Sequence, residues 1–452
     1  MFSLPSSTVF YSLSERFLAA RSRLLPWATQ ATLAFVDQLL NSGSNFAVSI
    51  LLARWLQAEQ YGAYALAFSI FLLFVAAQQA LLIEPMTVFG PSSYAGHLRE
   101  YLGALLWING TLGLVCAAVL GLSALIIHHF AVPGGLASAL AGLSVAAPFV
   151  LLFQVGRQAF YLEQRPAAAA SGTLVYSLLL LGGMWVVYRR GLVSPFAAYL
   201  MMALAAAGAA AFILVRLRPL LKPGGNPGLR HVWREHWQYS RWVLGTGAVK
   251  WITGNFSYAL TGTLLGMADT GALKALLNFF LPLSHTASSF SLVFQPYVSG
   301  IFGRQGRSST KTPVRRVTLV FLSGGILYLA LLMLFKKTIF LLLYGGKFMP
   351  FLPLLPWVAV SAVLSVASYG PAIGLRAIRS PSSILAAYSA AGATSILLGI
   401  VATWKLGLAG SVGALVLSNL ALVIVVTFLF RRKVSRGAER PSTSEEAVEF
   451  SQ

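Results

Sequence analysis

Polar and ionisable side chains recur at helical spacing inside two segments that are otherwise apolar. Asp37, Asn41 and Asn45 are four residues apart, so they share one face of a helix. A second segment carries four polar residues at similar spacing: Lys250, Thr253, Ser257 and Thr261. Such faces either line a wet cleft that binds a polar ligand or pack helices together through hydrogen bonds.

Two cations in these segments could neutralise an anionic ligand. Lys250 lies about two turns inside its segment, so its ammonium needs a ligand, a partner such as Asp37, or water. Arg54 ends the first segment, where contact with a phosphate and simple extension to the membrane interface are both consistent with the sequence. The polar residues expected beside these cations are Asn41, Asn45, Asn255 and Gln295.

Two carboxylates are candidates for binding a coupling ion. Glu84 precedes Pro85, which is expected to kink or end its helix and to free backbone groups next to the carboxylate. Asp37 lies on the polar face of the first segment. Ionisable residues within membrane helices mark ion pathways or internal pairs, so Asp37 and Glu84 are predicted to hold a proton or a sodium ion.

Twelve apolar segments must position these residues. The chain has 452 residues, of which 57% are hydrophobic and 10% charged, a composition typical of a polytopic membrane protein. Each segment offers roughly the 20 apolar residues that a spanning helix needs. The predicted segments are 31–53, 62–83, 102–127, 136–156, 167–188, 193–215, 242–265, 271–300, 317–335, 352–374, 382–404 and 408–430.

The basic residues fall mainly on alternate connections between these segments. If the N-terminus is cytoplasmic, 24 of the 33 lysines and arginines lie in cytoplasmic connections or termini and 7 in external ones. Basic residues resist translocation, so both termini are predicted to be cytoplasmic in an inner-membrane protein. The net charge of +21 is therefore a topology signal, and nucleic acid is not an expected partner.

The two halves of the chain resemble each other. Asn45 and Phe46 match Asn255 and Phe256, and Gly62 matches Gly271 one residue out of step. Six helices is an even number, so two such repeats enter the membrane in the same direction and form two pseudo-symmetric bundles in an all-α fold. The predicted divisions are a cytoplasmic or interfacial segment 1–30, a six-helix bundle 31–215, a basic cytoplasmic linker 216–241, a second bundle 242–430 and a disordered cytoplasmic tail 431–452.

Motifs of enzymes and metal sites are missing from the sequence. There is no GxxxxGK[ST] loop, HExxH or GxSxG motif, and the single cysteine, Cys116, lies in an apolar segment. His128 and His129 have no nearby third ligand. No catalytic residue, metal or cofactor is therefore predicted, and transport is favoured over catalysis.

Three stretches carry a family resemblance. ARWLQAEQYGAYALAFS, which begins at Ala53, resembles the signature of the bacterial polysaccharide transporter family, which contains the Wzx-type flippases of O-antigen and capsule oligosaccharides. LLYGGKFMPFLPLLPW at 342–357 and KLGLAGSVGALVLSNL at 405–420 are similar to later turns of the same family. With the helix count, the resemblance extends over nearly the whole chain, and its superfamily also contains multidrug and toxin extruders and lipid II flippases.

The resemblance implies a transporter of an undecaprenyl-diphosphate-linked oligosaccharide for surface polysaccharide synthesis. In that mechanism Lys250 and Arg54 neutralise the diphosphate, the asparagines and Gln295 replace water around the sugar, and the bundles rock to alternate access. Proton or sodium coupling and association with a glycan polymerase complex are also implied. The alternatives are an ion-coupled multidrug extruder, which should have an acidic cavity, and a membrane protein of a glycan assembly complex that transports nothing.

Overall fold

The first half of the chain forms six helical crossings. The computed structural model describes residues 8–131, 134–221 and 228–436, and all regular structure within them is helical. The α-helices of the first half are α1 (Thr8–Trp55), α2 (Ala58–Gln78), α3 (Glu84–Ser92), α4 (Leu98–His129), α5 (Leu136–Leu162), α6 (Pro166–Arg189) and α7 (Pro195–Leu217). One of the crossings consists of α2 and α3 in succession, and a 3₁₀ turn, Ala95–His97, precedes α4.

The second half repeats this arrangement, but two of its crossings are each divided into two helices. Its helices are α8 (Leu229–Leu264), α9 (Met267–Leu277), α10 (Leu281–Gln305), α11 (Lys311–Tyr344), α12 (Leu355–Ala367), α13 (Tyr369–Ala377) and α14 (Pro381–Arg436), with 3₁₀ turns at Ser308–Thr310 and Met349–Leu354. One crossing is divided into α9 and α10 and another into α12 and α13. α14 breaks at Gly407, whose φ is 60°. Ser418 then donates to the Ala391 carbonyl at 2.8 Å, so the chain reverses at this break and α14 provides two crossings.

Together these helices form twelve membrane crossings, which confirms the predicted fold. Eight stretches of the described chain are long and apolar enough to span a bilayer, and one of them is the doubly crossing α14. The three crossings outside that set are α1, α8, and α9 with α10. Polar residues interrupt the apolar sequence of these segments. The less apolar helices are therefore the ones that the sequence predicted to line a cleft.

Three segments predicted to lie outside the bundles are partly helical. α8 begins at Leu229, so the second part of the predicted linker 216–241 is helical. α1 runs without interruption from Thr8, so the predicted segment 1–30 continues into the first crossing as helix from that residue. The predicted tail is helical as far as Arg436, and its remainder lies outside the described residues.

Helix packing repeats between the halves. α1 packs along α6 in the first half, and its repeat counterpart α8 packs along α14 in the second. Small residues allow close approach inside each bundle: a Cβ on Gly142 would lie 2.9 Å from the Phe196 Cα atom, so α5 and α7 meet almost backbone to backbone.

The halves meet most closely at the repeated glycines. A Cβ on Gly62 of α2 would lie 1.7 Å from the Met267 carbonyl oxygen and 2.9 Å from the Gly271 nitrogen. A Cβ on Gly271 of α9 would lie 2.4 Å from the Ala58 carbonyl oxygen. The two glycines that the repeat equates therefore face each other across the interface between the halves, and no larger residue fits there.

Candidate functional site

A cavity of about 550 Å³ lies between the two halves. We call the end of the molecule where α1 meets α2 the outer end and the opposite end the inner end, following the predicted topology. α1, α2, α5, α6 and α7 line the cavity from the first half, and α8, α9, α10, α12, α13 and α14 from the second. The polar lining residues include Gln38, Ser42, Gln154, Thr253, Ser284, His285, Ser361, Ser365, Ser368 and Asn419, together with Tyr64, Tyr176, Tyr258, Tyr369 and Tyr388.

Four of the residues predicted for the substrate site line this cavity. They are Asn41, Asn45, Lys250 and Asn255. The Asn45 amide donates to the Asn41 carbonyl at 2.7 Å and accepts from the Tyr176 hydroxyl at 3.2 Å, so its position is fixed by both helices. The α1 residues that line the cavity lie between Gln38 and Ser49, and Asp37, which the spacing placed on the same face as Asn41 and Asn45, is not among them.

Arg54 and Gln295 lie elsewhere in this conformation. The Arg54 side chain is exposed at the outer end of α1, where its Nη1 lies 3.5 Å from the Leu342 carbonyl oxygen. Gln295 bonds within α10, from Nε2 to the Ser299 hydroxyl at 3.4 Å. Neither residue lines the cavity.

Asp37 is buried inside the first half rather than facing the cavity. Only 1% of its side chain is exposed. It accepts hydrogen bonds from the Tyr161 and Thr173 hydroxyls, and Nη1 of Arg157 lies 3.8 Å from its Oδ2. The Lys250 partnership considered from the sequence is therefore absent, and Arg157 is the cation that accompanies Asp37. The sequence prediction ended the fourth segment at residue 156, which left Arg157 in a loop, whereas α5 continues to Leu162.

Glu84 belongs to a separate cluster at the inner end. Pro85 has no N–H to donate to the Leu81 carbonyl, and the chain makes one π-helical turn, Gln79–Ile83, immediately before Glu84. Nδ1 of His236 lies 2.9 Å from that freed carbonyl, so it donates the hydrogen bond that the helix lacks. The Tyr239 hydroxyl donates to Glu84 at 3.4 Å. The backbone around Pro85 is thus hydrogen-bonded to the start of α8, and we call this contact the inner joint.

Further bonds complete this inner joint. The Tyr94 hydroxyl donates to Glu235 at 2.5 Å, and the Tyr101 hydroxyl lies 2.8 Å from Nε2 of His236. His236 is fully buried, with both ring nitrogens bonded. α8 is therefore fastened to the first half at its inner end, although its membrane portion packs against α14 of the second half.

The outer end of the cavity is closed by a hydrogen-bonded seal. The Ser49 hydroxyl lies 3.0 Å from the Tyr61 hydroxyl and donates to the Asn278 Oδ1 at 3.2 Å. The Asn278 amide donates to the hydroxyls of Tyr61 and Tyr344 at 2.9 and 3.3 Å. All four side chains are buried, so these residues join α1, α2, α9 and α11 above the cavity.

Lys347 reinforces the seal from the turn after α11. Its ammonium donates to the backbone carbonyls of Ala53, Arg54 and Leu56, which lie at the C-terminal end of α1. A cation is favourable there because the last carbonyls of a helix carry partial negative charge. Burial lowers the pKa of Lys347 from its ordinary value. The first two stretches that carry the family resemblance therefore contact each other in the fold.

The cavity carries positive charge. The Lys250 ammonium lies 5.4 Å from the centre of the Tyr388 ring, a cation–π distance. Lys274 of α9 also lines the cavity, although the sequence analysis singled out only Lys250 and Arg54 as candidate cations. No aspartate or glutamate is among the lining residues in the described part of the chain. One sequence signal could have identified Lys274. It lies one helical turn after Gly271, the repeat equivalent of Gly62, and therefore on the side of α9 that faces the other half.

Comparison with known proteins identifies the fold. No family model and no curated protein matches the chain. Among solved structures, the chain is similar to an inward-facing multidrug resistance MATE family transporter of the MOP superfamily, with a TM-score of 0.76, 15% identity, and coverage of 90% of this chain and 100% of that one. An outward-facing MATE family transporter gives a TM-score of 0.63 at 14% identity, covering 92% and 96%.

A third similar structure concerns the charge of the cavity. A MOP superfamily transporter from Pyrococcus furiosus, whose binding pocket is described as reversed in polarity, gives a TM-score of 0.65 at 14% identity, covering 92% of this chain and 96% of that one. The chain thus has the fold of the MATE transporters.

Proposed function

We propose that this protein is a membrane transporter of an amphiphilic anion, and that the anion is a lipid-linked oligosaccharide of the undecaprenyl diphosphate type. The observation that carries the proposal is the charge of the cavity: Lys250 and Lys274 line it, and no carboxylate does in the described residues. A diphosphate crossing hydrocarbon without compensating charge faces a prohibitive barrier, so cations along its route are required.

The remaining lining suits a sugar. Amide side chains of Asn41, Asn45, Gln154, Asn255 and Asn419 can replace the water that a hydroxyl-rich ligand loses on binding. Five tyrosines add flat apolar faces with a polar edge. A lining of amides, hydroxyls and aromatic rings beside two cations matches a glycan attached to a diphosphate better than it matches an apolar cation.

Alternating access accounts for the two ends of the interface. The outer seal and the cavity correspond to an inward-open state, and rocking of the halves would break the seal and close the inner end. The glycan would enter from the cytoplasmic leaflet of the inner membrane while its prenyl tail stays in lipid. Assembly with a glycan polymerase complex, which the family resemblance implies, would place the exported product beside its consumer.

Ion coupling, if it operates through Asp37, must involve Arg157. The guanidinium already neutralises the carboxylate, and its Nε and Nη1 have no hydrogen-bond partner among the described residues. A proton or sodium ion could bind Asp37 only after this contact loosens, since two cations cannot share one buried carboxylate without strong repulsion. Glu84, held by Tyr239 near the inner joint, is the second coupling candidate.

A multidrug extruder is the second candidate function, because the solved structures that share the fold include multidrug MATE transporters. The charge of the cavity opposes it for cationic drugs. For the Pyrococcus furiosus transporter, reversed pocket polarity is described as suggesting a different function, and the basic cavity of this chain fits the same reasoning.

Deleting the gene distinguishes these functions. We expect loss of one surface polysaccharide and accumulation of the complete lipid-linked unit in the inner leaflet, with unchanged sensitivity to cationic dyes. The measurements are glycan extraction with a leaflet-specific labelling step, and growth in dye gradients. Normal surface glycan together with increased dye sensitivity would establish the extruder instead.

A further inference from the structure

Lys274 occupies an unusual position for a lysine. It lies inside α9, the short helix between Gly266, whose φ is +99°, and the turn at residues 278–280. Its side chain lines the cavity close to the outer seal. Gly271 precedes it by three residues and Asn278 follows by four, so all three lie along one side of the helix.

The Lys274 ammonium is not neutralised by the protein. In the part of the chain that the structure describes, Arg157 pairs with Asp37 and Arg165 with Glu163, and no ion pair or hydrogen bond of the Lys274 ammonium is present there. A lysine inside a membrane helix is costly even by the lower insertion scales. Such a cost is tolerated where the charge meets a ligand or water in a cavity.

Lys274 and Lys250 lie at different depths. At 1.5 Å per residue, Lys250 is about 21 Å along α8 from the outer end of that helix at Leu264. Lys274 is about 10 Å along α9 from the outer end of that helix at Met267. Lys274 therefore lies nearer to the outer end of its own helix than Lys250 lies to the outer end of α8.

We propose that Lys274 is a second anion-binding position, which receives the diphosphate after Lys250. This inference deepens the proposed function and rests on it. Lys250 holds the anion in the inward-open cavity, and Lys274 holds it as the cavity closes behind it. An anion would thus never cross the cavity without a cation nearby, because each lysine covers the half of the route that the other does not.

The position of Lys274 also connects the anion to the seal. Gly271, one turn before Lys274, makes the closest contact between the halves. Asn278, one turn after Lys274, is the central hydrogen-bonded residue of the outer seal. The seal must open by movement of α9 relative to α2, so an anion at Lys274 contacts the element that moves. Release to the outside follows directly from that position.

The experiment uses the full-length protein in lipid vesicles, with farnesyl diphosphate as the binding probe and a fluorescent prenyl diphosphate as the transport probe. Lys274→Met should reduce transport more than tenfold while binding changes less than threefold, because Lys250 still takes the anion first. Lys250→Met should reduce both. Lys274→Arg should keep most of the transport, and Lys337→Met, an exposed lysine of α11 outside the cavity, is the control.

Thermal stability adds a readout that a structural lysine would not give. Because no ion pair compensates Lys274, Lys274→Met should raise the melting temperature of the ligand-free protein and should keep most of the stabilisation by farnesyl diphosphate, whereas Lys250→Met should lose that stabilisation. A fall in melting temperature with reduced abundance would assign Lys274 a structural role and overturn the proposal.

The outcomes separate this inference from the proposed function. If the wild-type protein neither binds nor moves prenyl diphosphates, the proposed function fails. If the wild type moves the probe and Lys274→Met does so equally well, only the second position fails. If Lys274→Met loses binding as fully as Lys250→Met, the lysines form a single site, which also overturns a second position.

Discussion

The two halves of this protein treat their membrane-embedded charges in opposite ways. In the first half, Asp37 is buried with Arg157 and accepts bonds from Tyr161 and Thr173, so the charge is neutralised within the bundle. In the second half, Lys250 and Lys274 line the cavity, and no aspartate or glutamate of the described residues lines it with them. The repeats share an architecture, but only one of them offers uncompensated charge to a ligand.

This difference separates structure from recognition. Removing one partner of a buried ion pair leaves the other charge uncompensated, so paired charges are needed for folding. An unpaired charge destabilises the empty protein and is retained where a ligand needs it. The contrast predicts that substitutions in the two halves will affect different measurements: abundance for the first half, transport for the second.

The largest effect is expected from Lys250→Ala. It should abolish transport of the fluorescent prenyl diphosphate while membrane abundance stays normal, because the ligand loses its cation and the protein loses no partner. Lys250→Arg should retain part of the activity. Quantitative blotting and the vesicle assay measure the two properties. A large fall in abundance would show that Lys250 is structural and would erase the contrast between the halves.

Arg157→Ala should have the opposite signature. Leaving Asp37 buried and unpaired should destabilise the protein by about 3 to 5 kcal/mol and lower its abundance. Asp37→Asn together with Arg157→Ala should recover much of the loss, because losing both charges is cheaper than losing one. Thermal unfolding in detergent measures each variant. If the double variant is as unstable as the sum of the singles, the pair is not coupled.

The sequence predicted most of the architecture because apolar length and basic-residue bias are local signals. The all-α fold and its twelve crossings follow from them. The glycines matched by the repeat, Gly62 and Gly271, face each other in the fold. The stretches around Arg54 and Lys347 carry the family resemblance, and they contact each other at the outer end.

Partner choice could not be predicted, because it depends on distances between helices that are far apart in sequence. Lys250 and Asp37 lie on opposed repeat helices, which made them plausible partners, yet Arg157 is the cation beside Asp37. The helix containing Arg157 extends past the apolar segment, and apolarity alone does not define where such a helix ends. The place of Lys274 in the cavity was missed for the same reason. Whether a polar side chain near a helix end is buried depends on how the other half of the protein packs against that helix.

A carboxylate placed beside Lys250 should make the second half resemble the first. Gly254 lies one turn after Lys250, also lines the cavity, and a Cβ there meets nothing within 4 Å. Gly254→Glu should therefore pair with the ammonium and reduce transport about tenfold, equivalent to about 1.4 kcal/mol of lost anion stabilisation. Gly254→Gln, which adds similar bulk without charge, is the matched control in the vesicle assay. Equal loss in both variants would attribute the effect to bulk.

The smallest effect is expected from Arg54→Gln. Its guanidinium is exposed and reaches only the Leu342 carbonyl at 3.5 Å, whereas Lys347 bonds the backbone carbonyl of Arg54 and does not depend on its side chain. Substitutions at exposed sites usually change stability by no more than about 0.5 kcal/mol, so abundance should be normal and transport within about twofold of wild type.

Arg54→Gln nevertheless tests the sequence-based hypothesis that Arg54 contacts the diphosphate. That contact would form only after the outer seal opens, because Arg54 does not line the cavity while the seal is closed. Single-turnover release to the outer leaflet is the sensitive measurement. A tenfold slowing of release with unchanged farnesyl diphosphate binding would place Arg54 on the exit route, as a third cation contributed by the first half, and the contrast between the halves would then hold for the inward-open state alone.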